Sequence, residues 1–256
     1  MFELEKESKI SLQEFVLQPR YAPSLEDGVV EVSSHLNNST GTIVKKEESA
    51  DEAMLSIEES VRDLVIFLNV PFTSQAPLEN WDNVVYQQGC EEASILMAML
   101  WVEGKQLTPA SAEKAILAIS NFEQENYGLF QDTSAADTAE IMRDYFHYEN
   151  VEEVSNIGIT DIQKELTKGN VVIVPVNGQK LGNPFYKLPG PIEHMLLIKG
   201  YDAKKKEFIV NDAGTKRGEG FRYKENVLEA ALQDYPTGHK EPITEIKKAM
   251  IVVRPR

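Results

Sequence analysis

Cysteine is nearly absent: Cys90 is the only one in 256 residues. A lone cysteine cannot close an intramolecular disulfide or supply a sulfur-rich metal site. Positive charge is also short. The 26 Lys and Arg face 41 Asp and Glu, a formal net charge of −15, which lacks the cationic footprint of a nucleic-acid binder. No apolar run reaches the ~18 residues of a membrane-spanning helix. The opening "MFELEKESKI" lacks the basic start and apolar stretch of a secretory signal. There is no H-E-x-x-H, and the histidines are too scattered for ligand spacing. Dinucleotide and P-loop patterns are missing too, since "GTKRGEGF" has glycines in neither arrangement. One thiol fits a reducing cytosol or an exported protein that avoids cysteine, so the compartment stays open.

What is there is ordinary globular composition, with 42% hydrophobic residues, enough for one substantial core and an appended segment. Residues 1–60 are polar, turn-rich and weakly patterned, as in "LEDGVVEVSSHLNNSTGTIVKKEESADEAM". They read as a leader or linker, with a small hairpin around Gly28–Val32 or a cleft-covering propeptide as sharper alternatives. Residues 61–256 read as the packed domain. Leu64–Val70 reads as a short buried strand stopped by Pro71. Cys90–Val102 is apolar nearly all round and predicts a central, buried helix. Further helices are expected from Thr108-Pro109, over 134–145, over 160–168 before Gly169, and over 226–235. The β-branched runs 171–176, 194–202, 207–212 and 249–255 read as strands. Helices first and strands later make an α+β fold.

Cys90 heads its helix, where unpaired N–H groups and the dipole favour thiolate. Gly89 before it permits a tight turn and close approach of a substrate backbone. Glu91 and Glu92 oppose thiolate, so a partner imidazolium has to win that contest. The plainer alternative is a buried structural thiol. Among the histidines, His35 lies in the leader, His239 in a turn, and His147 at a helix end. His194 follows the Gly/Pro-rich loop "NGQKLGNPFYKLPGPIE" and opens an apolar strand, which would hold the ring firmly. If the next strand pairs with it as a hairpin, Asp212 in "VNDAGT" comes near His194 and can orient it. Asp212 also suits a plain turn, and Asn211 is its competitor, although alternation points Asn211 to the other face. Gln75 is a candidate side-chain donor to an oxyanion, with Gln87 and Gln88 as competitors and an exposed loop glutamine as the plainer reading.

These blocks, "LNVPFTSQ…GCEEASILMAM", "GPIEHMLLIKGYD" and "FIVNDAGT", together resemble the papain-like cysteine peptidases of the C39-like family, and more closely its free-standing bacterial branch than the bacteriocin-leader peptidases fused to transporters. The resemblance spans about residues 64–253 and implies a papain-like fold. A helix bearing the nucleophile packs on an antiparallel sheet bearing the base. It implies Cys90 as nucleophile, His194 as general base, Asp212 as orienting acid and Gln75 as oxyanion donor. Two departures stand out. Gln75 lies 15 residues before Cys90, with "APLENWDNVVYQ" inserted, whereas papain-like enzymes usually carry it nearer. The thiol is followed by "CEEAS" rather than the usual "CG" or "CGP". The resemblance favours an extracytoplasmic location and leaves oligomeric state open.

The implied chemistry is hydrolysis of a peptide or amide bond through a thioester, on a peptide or protein substrate and without metal or organic cofactor. Phe185 and Tyr186 are expected as apolar contacts on one cleft wall, or as loop residues packing on their own core. Trp81 is expected to anchor the inserted loop, with cleft lining as the alternative, and Trp101 to sit in the core. Acyltransferases and transglutaminase-like enzymes use the same residues with an amine replacing water. A non-catalytic binding module on this fold is the rival from another class.

Overall fold

The structure, a computed structural model, describes residues 64–238, 243 and 245–256. The leader 1–60, the Gly28–Val32 hairpin, His35 and His239 lie outside the described residues.

The central feature is the helix the sequence expects. After a short α1 (Val84–Gln88), α2 runs over Cys90–Val102, and every residue from Cys90 to Leu100 is buried. Its Ala, Leu and Met residues are strong helix formers. Burying Ile95, Leu96, Met97 and Met99 stabilises the fold by roughly 1.5–3 kcal/mol each. That outweighs the cost of enclosing two glutamates beside them, provided one carboxyl stays neutral. Both Glu92 oxygens are buried without a partner, and burial, with the charges of Glu123 and Glu91, raises its pKa well above the ordinary value, which favours the neutral acid.

Helix α3 (Pro109–Tyr127) starts as expected, with Thr108 Oγ1 accepting from the Ser111 N–H at 3.2 Å and Pro109 at the first position. Helix α4 (Ala135–Phe146) is capped by the Ser134 hydroxyl and closed by the His147 backbone in the left-handed region (φ +52°). Helices α5 (Ile159–Thr167), α6 (Gly178–Leu181) and α7 (Glu225–Ala231) follow.

The strands are β1 (Val65–Phe67), β2 (Val151–Ser155), β3 (Val171–Val176), β4 (His194–Asp202), β5 (Glu207–Asn211), β6 (Phe221–Lys224) and β7 (Ala249–Val253). They form one antiparallel sheet in the order β2-β7-β3-β4-β5-β6, with β1 also pairing β4. Both faces are covered. Val171, Ile173, Met195 and Leu197 face the α2–α3–α4 core, while Val172, Val174, Leu196 and Ile198 face a second core with α5 and α7. This explains the unbroken apolar runs, since a strand buried on both sides has no polar face to alternate. Pro175 pairs Met195 of β4 but turns its carbonyl the other way, to the Gln233 N–H, so its nitrogen faces the side where β7 pairing has already ended at Ile173. The α+β arrangement is therefore the one expected, with the nucleophile-bearing helix laid on an antiparallel sheet.

Three expectations need correction. β1 is shorter than Leu64–Val70 and not buried: Val65 and Phe67 are 52% and 55% exposed, because only three residues pair at the margin of β4. Helix α7 ends at Ala231 rather than 235, since Leu232 bridges Val176 and the Gln233 N–H donates to Pro175. Trp101 is partly buried, packed against the core from its edge.

Candidate active site

Cys90 is the first residue of α2 and is 5% exposed. Gly89 has ordinary dihedrals, but a Cβ there would meet the Val85 carbonyl at 2.8 Å and Ile116 at 3.3 Å. The missing side chain thus serves the packing of α1 and α3 against the helix head, rather than room for a substrate. The Cys90 thiol donates to Glu91 Oε2 at 3.0 Å, and Glu91 Oε1 accepts from the Tyr235 hydroxyl at 2.7 Å. Burial pushes the thiol pKa well above its ordinary value. The Glu91 charge and hydrogen bond add to this, Glu92 adds more, and a hydrogen bond with the Met195 backbone opposes it. In this state burial, with the glutamates, prevails over the helix terminus, and the sulfur donates its proton to Glu91.

His194 opens β4 and Asp212 follows β5, so the hairpin brings them together as expected. Nε2 of His194 lies 2.9 Å from Oδ1 of Asp212. The other carboxylate oxygen accepts from Asn183 Nδ2 at 2.9 Å and from the hydroxyls of Tyr186 and Tyr223 at 2.7 Å each. The Gly214 N–H adds a bond to Oδ1 at 3.1 Å. Burial alone would raise the Asp212 carboxyl. The His194 charge, with hydrogen bonds from His194, Tyr186 and Tyr223, outweighs it and holds the group below the ordinary carboxylate range. The Tyr186 ring also stands edge-on to the imidazole, with centroids 5.5 Å apart. Its expected role as an apolar contact is incomplete, because it is one of the groups that fix Asp212 and His194. A Cβ on Gly214 would stand 3.0 Å from both His194 Cε1 and Tyr186 Cε1, so any larger residue would press on both rings.

Asn211, the competitor for Asp212, points elsewhere: its amide donates to the Val70 and Pro71 carbonyls at 3.3 and 3.0 Å. Gln75 reaches the site, but its amide nitrogen donates to the Tyr86 and Gln87 carbonyls at 3.1 and 2.9 Å, while Oε1 is buried without a partner. Gln87 turns back to the Trp81 carbonyl at 2.7 Å.

Cys90, His194, Gln75, Gln88 and Tyr186 line one cleft of about 410 Å³. A lobe of about 680 Å³ adjoins it, reaching Phe185, Thr215 and Lys216. Trp81, Gln87, Lys187 and Gly214 belong to both. Trp81 and Phe185 are 40% and 41% exposed, so Trp81 lines the cleft rather than only anchoring its loop. Asn183, Tyr223, Gly214 and Tyr235 were not singled out in the sequence. Each comes from a different loop or strand, and only the fold converges them. Among the described residues, no group of three or more His, Cys, Asp or Glu side chains is arranged to hold a metal ion. No described helix is long and apolar enough to cross a membrane.

The crystal structure of a protein from Bacillus anthracis assigned to the C39-like peptidases aligns with a TM-score of 0.47 and 15% identity, covering 75% of this chain and 98% of that one. No curated protein matches the chain. A family model, described as the Peptidase_C39 like family, matches residues 67–240. That match takes in more than half of the sequence and includes Cys90, His194 and Asp212, and the chain belongs to the Peptidase_C39 like family.

Proposed function

We propose that this protein is a cysteine-dependent peptidase or amidase, with Cys90 as nucleophile, His194 as general base and Asp212 as the residue that orients it. One observation carries the reading: Cys90 and the Asp212-bound imidazole line the same cleft.

With Nε2 bonded to Asp212, Nδ1 is the nitrogen that takes the thiol proton. The thiolate attacks the substrate carbonyl carbon, and the resulting oxyanion is held by the Cys90 N–H and a side-chain amide. Gln75 serves as that amide after it releases the Tyr86 and Gln87 carbonyls. Gln88, beside the helix head, is the alternative. Protonated His194 passes its proton to the departing amine as the C–N bond breaks, leaving a thioester. Water then attacks the thioester while His194 takes its proton, and the thiol leaves with that proton restored. Trp81 and Phe185 supply apolar contact to a peptide or protein substrate. In this reading 61–256 is the catalytic unit and 1–60 an appended leader.

Profiling a peptide library with wild type and Cys90→Ala side by side tests the proposal. Cleavage by wild type alone is expected. Equal turnover by both, or amine-dependent transfer with no hydrolysis, would remove the peptidase reading.

A further inference from the structure

Glu91 is a carboxylic acid with 0% exposure, directly after the nucleophile. A buried carboxylate is expensive unless partnered, and this one has two partners on opposite oxygens. The Cys90 thiol donates to Oε2 at 3.0 Å, and the Tyr235 hydroxyl donates to Oε1 at 2.7 Å. No step of acyl transfer uses either bond. The thiol can donate its single proton to one acceptor at a time, so a hydrogen bond to Glu91 competes with the transfer to His194. The geometry also has a built-in support: Tyr235 lies beyond α7, 144 residues from Glu91 along the chain, and holds its carboxylate in place.

We propose that Glu91 is a positioning residue that holds the resting Cys90 thiol away from His194, and that neutralising Glu91 releases the sulfur to the imidazole. The inference rests on the reading of Cys90 as nucleophile, but it concerns how the thiol is poised rather than which bond is cut. The groups facing Glu91 are Cys90 and Glu92 on its own helix, Glu123 on α3, Asp132 between α3 and α4, and Tyr235. Burial raises Glu91 to about 7, against the hydrogen bonds from Cys90 and Tyr235 that favour its charged form, while the Asp132 charge raises it further. Near neutrality, therefore, one proton on Glu91 separates the held thiol from the released one. The neutral acid neither repels a thiolate nor competes for its proton as strongly. Relative to a simple thiol at the same pH, Cys90 therefore loses reactivity as pH rises through neutrality and Glu91 ionises.

The experiment is alkylation of Cys90 by iodoacetamide in the full chain, followed by intact mass. Each rate is divided by that of N-acetylcysteine at the same pH. For Glu91→Gln the ratio to wild type should be near one at about pH 6 and rise to about tenfold at about pH 8.5, the effect of about one unit in thiol pKa. Tyr235→Phe removes a bond that favours the ionised carboxyl, so the midpoint of the wild-type loss should move to higher pH in that variant. This comparison needs no folded Glu91→Gln. A ratio that does not change with pH, or a Glu91→Gln protein slower than wild type throughout, overturns the proposal, as does an unmoved midpoint in Tyr235→Phe. A merely structural glutamate would lower melting temperature without producing a pH-dependent ratio. Alkylation needs only a thiolate, so the expected pattern in a protein that cleaves no peptide sinks the peptidase reading and leaves the role of Glu91 standing. Cys90-dependent cleavage with a flat ratio does the opposite.

Discussion

Nε2 of His194 and Oδ1 of Asp212 lie 2.9 Å apart, and neither side chain is more than 2% exposed. Little water reaches the pair, so the carboxylate's charge is screened less than it would be at an open surface. Asp212→Asn keeps the shape and removes that charge. On a cleavable peptide, kcat/KM should fall on the order of 10²-fold or more, less than the loss in Cys90→Ala or His194→Ala, with all three variants folded by circular dichroism. An unchanged rate would take Asp212 out of the machinery.

Three side-chain donors beyond His194 converge on Asp212, and each should be visible in stability. Tyr223→Phe removes its bond to a charged acceptor, a loss of roughly 1.5–3 kcal/mol, together with the bond its hydroxyl accepts from Asn183 Nδ2 at 2.8 Å. The folded Asp212 carboxyl sits below its ordinary value, so its contribution is present above the unfolded pKa and disappears as pH falls through the folded one. Urea unfolding of wild type and Tyr223→Phe should therefore differ most at pH 7 and draw closer in strong acid, where only the Asn183 bond still separates them. A gap that stays constant down to low pH would show that the hydroxyl acts by packing alone.

Glu123 carries the opposite sign. Both its oxygens are buried without a partner, and burial, followed by the Glu91 charge, raises it to about 9. A raised carboxyl stabilises fully below the unfolded pKa, and that stabilisation is lost as pH climbs toward the folded value. Glu123→Gln should match wild type near about pH 5 and exceed it by at least about 1 kcal/mol near about pH 9. Greater instability of the variant at alkaline pH would mean that the carboxylate has a partner after all.

Trp81 and Phe185 flank the cleft with about two-fifths of their surface still open. Truncating either to Ala should raise KM several-fold, roughly 1 kcal/mol of lost contact, with kcat and melting temperature little changed. A fall in kcat alone would place them in the support of the site rather than in substrate contact.

The residues at element starts were readable. Cys90 sits at a polar-to-apolar switch, His194 at the head of a β-branched run, and Asp212 at a strand end in a turn, so local pattern singles out each one as a candidate beside its plainer reading. Local pattern has no access to groups that meet through side chains from remote segments. Asn183 and Tyr223 reach Asp212 across 29 and 11 residues, and nothing near either announces it. The strands missed were β2, "VEEVS", and β6, "FRYK". Both are sheet-margin strands with charged outward positions, and they give little apolar signal. Gln75, just after the first strand, reads as a candidate oxyanion donor, but the inserted α1 offers it two carbonyls at close range, a local competition that spacing does not reveal.

The last strand in chain order, β7, lies between β2 and β3 and not at the sheet's margin. A nascent chain already holding sulfur, imidazole and carboxylate still has a slot open in its scaffold until residues 249–253 arrive. Until those residues pair with both neighbours, β2 has no partner in the sheet and β3 is bound only along its β4 edge, so loss of this one strand would split the scaffold from within rather than fray its rim.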